Sequence, residues 1–149
     1  EIFGTNSRLD TIQAVVANHL LKKLHSITKK RISNAKFFDK KLKIIPKIEL
    51  PKRDNSKEVF HIYSFLANSR DKLIEYLISQ GIDAKKHYPV AMHLQKPYEL
   101  YPQAKFGLEV SEHLAKCVLS IPMHPYLTRV KQEMISSAII ESIKAVEKR

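Results

Sequence analysis

The sequence has no tryptophan, one cysteine and only three glycines in 149 residues. The glycines stand at positions 4, 81 and 107, too scattered for a glycine-rich loop that could cradle a phosphate. One cysteine excludes an internal disulfide and fits a reducing compartment such as the cytoplasm. That residue, Cys117, lies in the apolar run Cys117-Val118-Leu119-Ser120-Ile121 and reads as a small buried hydrophobe rather than a reactive thiol. Apolar runs of the length that crosses a bilayer, about 18 residues or more, are missing. The opening residues 1–6 show neither a basic start nor an apolar stretch, which excludes a signal peptide there. They also lack an initiator methionine, so the chain is expected to be a piece of a larger protein. No Cys/His cluster has zinc spacing, and His87 and His93 are separated by a proline, so no metal site is expected. No Ser-His-Asp order stands out among the seven histidines.

Positive charge is abundant. The net charge is +11, and residues 1–58 hold 14 Lys/Arg against 6 Asp/Glu. Such a field attracts polyanions, whether nucleic acid or a sugar diphosphate. Only Phe37 and Phe38 interleave with the lysines, so a solvated helix face is the plainer reading and no specific nucleic-acid partner is expected.

The apolar spacing defines the elements. Leu9, Ile12, Val16, Leu20, Leu24 and Ile27 recur at three and four residues, with Ser7 placed to cap and Asp10 three positions on. Nothing in the spacing breaks this helix before about Leu42. A helix of roughly thirty residues exceeds the usual three turns, which predicts a partner for it outside this chain. Val59–Leu66 reads as a strand, and Asn68 or Ser69 as the cap of a helix striped by Leu73, Ile74, Leu77 and Ile78. Gln80-Gly81 should end that helix. Ile82–His87 is expected as a second strand and residues 88–108 as a long irregular segment. A short helix capped by Ser111 and running through Ala115, a third strand over Cys117–Ile121, and a last helix capped by Thr128 complete the order. Val130, Met134, Ala138, Ile139 and Ile143 form that helix's expected stripe. The class is α+β: a long N-terminal helix, then a small antiparallel three-stranded sheet covered by helices. Residues 1–45 form the helical link and residues 46–149 the small domain.

Two places could carry function. His87-Tyr88-Pro89-Val90-Ala91-Met92-His93-Leu94-Gln95 concentrates two imidazoles, a phenol and an amide that can bond phosphates, sugars or carboxylates; an ordinary surface loop is the competing reading. Asn6 precedes a helix start, where free amides and the dipole welcome an anion, or it is merely a turn residue.

Three segments in register resemble one family. Gly4-x-Asn6-x-Arg8-Leu9-Asp10-x-x-Gln13-Ala14, His87-Tyr88-Pro89-x-x-x-His93-x-Gln95-x-x-Tyr98 and Leu119-Ser120-Ile121-Pro122-Met123-His124-Pro125-Tyr126-Leu127-Thr128 are similar to stretches of the DegT-type sugar aminotransferases. The resemblance implies the small domain of the fold type I (aspartate-aminotransferase) architecture. It also implies a pyridoxal-phosphate (PLP) cofactor, a homodimer, a nucleotide-linked keto sugar as substrate and an amino-acid donor. It assigns Asn6, with Arg8 beside it, to the PLP phosphate of the neighbouring subunit. His87, Tyr88 and His93 fall on the substrate side, Gln13 is structural and Asp10 a helix cap. The family's Schiff-base lysine lies in a preceding large domain, and Lys85 and Lys86 match no such motif, so no catalytic residue is expected in this chain. The chain alone is then inactive. The alternatives are a non-catalytic module that binds a sugar nucleotide or polyanion, and an interaction domain.

Overall fold

The computed structural model describes residues 8–53, 58–96 and 107–147. In chain order the elements are α1 (Thr11–Leu21), α2 (Leu24–Leu42), β1 (Ile48–Glu49), β2 (Tyr63–Ala67) and α3 (Arg70–Ser79), followed by a 3-10 turn at Met92–Leu94. Then come α4 (Glu109–Cys117), β3 (Val118–Ile121) and α5 (Arg129–Glu147). The strands form one antiparallel sheet in the order β1-β2-β3.

Strand alternation separates two faces. Tyr63, Phe65 and Ala67 of β2 pair with Ile121, Leu119 and Ile48, and all six are buried. On this side α2, α3 and α5 supply Phe38, Leu42, Leu77 and Ile139, none with measurable exposure. Each such side chain contributes about 1.5–3 kcal/mol by leaving water. Glu49, Ser64, Leu66, Val118 and Ser120 take the other face, because period-two alternation sends them there.

Local chemistry sets several boundaries. Asp10 stands at the N-cap of α1 with extended backbone, and the Gln13 side-chain oxygen accepts its N–H at 3.2 Å. Ser7 lies outside the described residues, and it precedes the observed cap by three positions. The expected continuous helix is divided: Lys22 and Lys23 form a turn in which the Lys23 N–H closes onto Leu20 O at 2.9 Å. No residue of α1 is buried, so no tertiary packing holds it in line with α2. Gly81, at φ +75°, ends α3 in a Schellman motif, with Ile82 N–H bonding Leu77 O and Gly81 N–H bonding Ile78 O, both at 2.9 Å.

Strand membership differs from the sequence expectation. Ile82–His87 is not a strand; only Lys85 bridges to Ser120, through hydrogen bonds of 2.9 and 2.8 Å. Ile82 and Ala84 are drawn into the core, and the chain departs toward Pro89 after one bridge. The third strand is the two-residue β1, between Pro46 and Pro51. β2 starts at Tyr63 rather than Val59, because Phe60 takes φ +49° and breaks the extension. α4 starts at Glu109 with Leu108 rather than Ser111 at its cap, and it runs two residues past Ala115 to close at Cys117. The Thr128 hydroxyl accepts Lys131 N–H at 3.4 Å at the start of α5. The buried face of α5 is Gln132, Ile135, Ser136, Ala138, Ile139 and Ser142, whereas Val130 and Met134 face solvent. The stripe is rotated because α5 must meet both α2 and α3.

Candidate functional site

The second face of the sheet is roofed on one side by α4 and on the other by residues 87–92. Between them lies a cavity of about 570 Å³, within the range of small-ligand sites. Its floor is Ser64, Leu66 and Val118; Ser111, Leu114 and Ala115 of α4 form one wall, and His87, Tyr88, Val90 and Met92 the other. Glu49 contributes the lining carboxylate. The His87–Tyr88 peptide is cis, and the two rings meet edge-on with centroids 5.6 Å apart.

Arg70, the first residue of α3, ties these walls together. It is buried, and its Nη1 donates to the carbonyls of Ala115 and Val118, where α4 runs out of internal donors. Its Nε donates to Asp71 at 2.8 Å, and the same carboxylate oxygen receives Lys86 Nζ at 2.8 Å. Hydrogen bonds from Lys86, and then from Arg70, hold the Asp71 carboxyl below its ordinary range. The network fixes the end of α4 and the residue just before His87 onto α3. His93 Nε2 lies 3.1 Å from Glu112 Oε1, which fastens the 3-10 turn to α4.

The structure thus brings His87 and Tyr88 together on the cavity. His93 sits beside it as a tether and does not line it. Arg8 is exposed ahead of α1, and no residue before β1 lines the cavity. Asn6 lies outside the described residues. Ser64, Ser111, Glu49 and Arg70 were not singled out by sequence as functional residues, Ser111 having been read only as a helix cap. The first three meet only through sheet pairing and packing, while a charged residue opening an apolar helix was the available signal for Arg70.

Residues 1–140 match the sequence profile of the DegT/DnrJ/EryC1/StrS aminotransferase family. The chain belongs to that family. Its relative from Streptomyces venezuelae, dTDP-3-amino-3,4,6-trideoxy-alpha-D-glucose transaminase, is 34% identical over 99% of this chain and 39% of its own length. Among solved structures, S. venezuelae DesV in complex with a ketimine intermediate superposes with a TM-score of 0.85 at 34% identity, over 95% of this chain and 38% of DesV. Bacillus subtilis NtdA, solved with bound cofactor PMP, gives 0.79 at 26% identity, over 97% and 34%. This DegT-family chain therefore spans less than two fifths of the length of these proteins. They are fold type I, PLP-dependent enzymes, and the α+β small-domain architecture is shared.

Among the described residues no lysine lines the cavity, so the side chains that line it do not by themselves hold PLP as an imine. Lys85 and Lys86, the nearest in sequence to His87, are paired with Asp83 and Asp71. Among the described residues no helix is long and apolar enough to cross a membrane, and no cluster of His, Cys, Asp and Glu could hold a metal.

Proposed function

We propose that this chain is the small domain of a PLP-dependent aminotransferase acting on a nucleotide-linked keto sugar, and that it is inactive by itself. The observation that carries the reading is the match of 99% of this chain to 39% of the length of a dTDP-sugar transaminase, with His87 and Tyr88 walling an open cavity. His87 and Tyr88 present an imidazole and a phenol to the sugar-side wall. Ser64 and Ser111 offer hydroxyls, Glu49 a carboxylate, and the apolar side chains among the rest exclude water from the bound sugar. Asn6 and Arg8 reach the cofactor phosphate of a neighbouring subunit in a homodimer. An amino acid supplies the nitrogen, and the cytoplasm is the working compartment.

The cofactor, when bound, supplies the electron sink for moving the amino group; its lysine comes from outside this chain. The test is retention. After incubation with PLP and gel filtration, the chain alone should keep no stoichiometric cofactor, whereas the protein carrying a large domain should. Tight cofactor retention by the chain alone, abolished by changing a single lysine, would overturn the proposal.

A further inference from the structure

α2 turns one side to the core, where Asn34, Ala35, Phe37, Phe38 and Leu42 are buried. At about 3.6 residues per turn, the opposite side is the row Lys29, Ser33, Lys36, Lys40 and Lys43. All five are exposed, and Lys43 keeps helical backbone as the C-cap. The row runs straight for roughly 21 Å. Asp39, the acidic residue of α2, is turned aside to Tyr63 and Arg53.

The basic residues on the flanks are engaged within the fold. Lys41 pairs with Glu133 at 2.8 Å, and Lys30 lies over the Tyr126 ring at 5.7 Å. On the other flank Arg31 donates to Phe60 O at 3.4 Å. Among the described residues, Lys29, Lys36, Lys40 and Lys43 have no ion-pair partner. Lys36 and Lys40 stand four apart and Lys40 and Lys43 three apart, so their repulsion weakens the helix. An anionic surface brought against the row removes that repulsion.

The chemistry of the row selects the kind of surface. Its charges are compact ammonium groups in a straight line, which a plane of headgroups can meet all at once. The row contains no arginine fork, amide or aromatic ring, the groups that read or stack nucleic-acid bases. Ile44 follows Lys43 directly and is 73% exposed. An apolar side chain there gains by entering a headgroup layer, and gains nothing from a phosphate backbone.

We propose that the outer face of α2 docks the protein on a membrane surface rich in anionic lipid, with Lys29, Lys36, Lys40 and Lys43 on the headgroups and Ile44 inserted among them. Each lysine brought to such a surface is worth roughly fivefold in partition, so the row supplies on the order of several hundredfold. α2 packs on the side of the sheet away from the cavity, and the proposal does not rest on the transaminase reading.

The test is sedimentation of the chain with lipid vesicles. Phosphatidylcholine vesicles, and the same vesicles with added phosphatidylglycerol, form two arms. Duplex DNA of mixed sequence, followed by fluorescence anisotropy, forms a third. The chain should bind vesicles only when phosphatidylglycerol is present, and less as salt rises. Lys36→Gln with Lys40→Gln should lower the partition by roughly twenty-five-fold. Lys72→Gln with Lys116→Gln removes the same charge from exposed positions of α3 and α4 and should lower it far less. Ile44→Ser should weaken vesicle binding several-fold and leave DNA binding unchanged. No binding to the anionic vesicles, or equal losses from the two lysine pairs, would overturn the proposal. DNA binding that is tighter than vesicle binding, lost in the α2 pair and indifferent to Ile44, would overturn it too and assign the face to a nucleic acid.

Discussion

The buried phenol of Tyr63 offers a perturbation whose magnitude and sign can both be worked out. Its hydroxyl donates to Asp39 Oδ1 at 2.7 Å, and Arg53 reaches the two oxygens of that carboxylate at 3.3 Å. Its ring packs on Phe38 with centroids 5.4 Å apart, and the guanidinium of Arg53 lies 5.5 Å from its centre. Tyr63→Phe keeps those ring contacts and deletes only the O–H. A hydrogen bond to a charged group is worth about 1.5–3 kcal/mol. Asp39 retains Arg53 and some solvent, so the lower end applies, about 1.5 kcal/mol at neutral pH. For a chain of this size that is a fall in Tm of roughly 3–6 °C.

Alkaline pH removes the difference. Burial, and then the hydrogen bond to Asp39, push the Tyr63 hydroxyl well above its ordinary value near 10. Above that value the unfolded chain releases the proton while the folded chain keeps it. The folded state therefore binds more protons, and stability falls as pH rises, by up to about 1.4 kcal/mol per unit. The phenylalanine variant lacks this loss. Urea unfolding at pH 7 should show the variant about 1.5 kcal/mol weaker, and at pH 11 the gap should close almost entirely, since lysines and the other tyrosines titrate alike in both proteins. A gap that stays constant from pH 7 to pH 11 would refute the reasoning.

Arg70→Lys should lower stability by about 2 kcal/mol in denaturant titration, because an ammonium cannot serve Asp71 and two carbonyls as the planar guanidinium does. The same substitution should raise hydrogen exchange in α4 more than in α5. At Gly81 an added Cβ meets nothing within 4 Å, so Gly81→Ala should cost only the left-handed backbone penalty, about 1 kcal/mol. Gly81→Asn should recover part of it, as read by thermal melting.

Much of the fold was legible where one residue type is physically required. Gly81 had to end α3 because its φ is positive, and the Thr128 hydroxyl was placed to receive a free amide of α5. The alternation Tyr63-Ser64-Phe65-Leu66 is a strand by itself. β1 was not legible: two residues carry no periodicity, and Ile48–Glu49 is a strand only because Ala67 and Leu66 pair with it. Ile82–His87 has the composition of a strand but lacks the partners, since Lys85 alone reaches β3. The rotation of the buried stripe on α5 is a tertiary matter as well. In the site, His87 and Tyr88 were marked by their density of polar groups, and their place on the cavity follows from packing that no local pattern encodes.

The ends of the sheet bear on how copies of the molecule can meet. β1, at one edge, is only two residues long and lies between Pro46 and Pro51, neither of which can donate a main-chain hydrogen bond. β3, at the other edge, has Ser120 already occupied by Lys85, whose ammonium projects toward solvent. An incoming strand therefore finds a stub guarded by prolines on one side and a filled, charged margin on the other. Extension of the sheet from molecule to molecule, the usual route to fibrillar aggregation, is closed at both margins. Association is left to the helical surfaces, where Ile12, Val16 and Leu20 stand bare on α1.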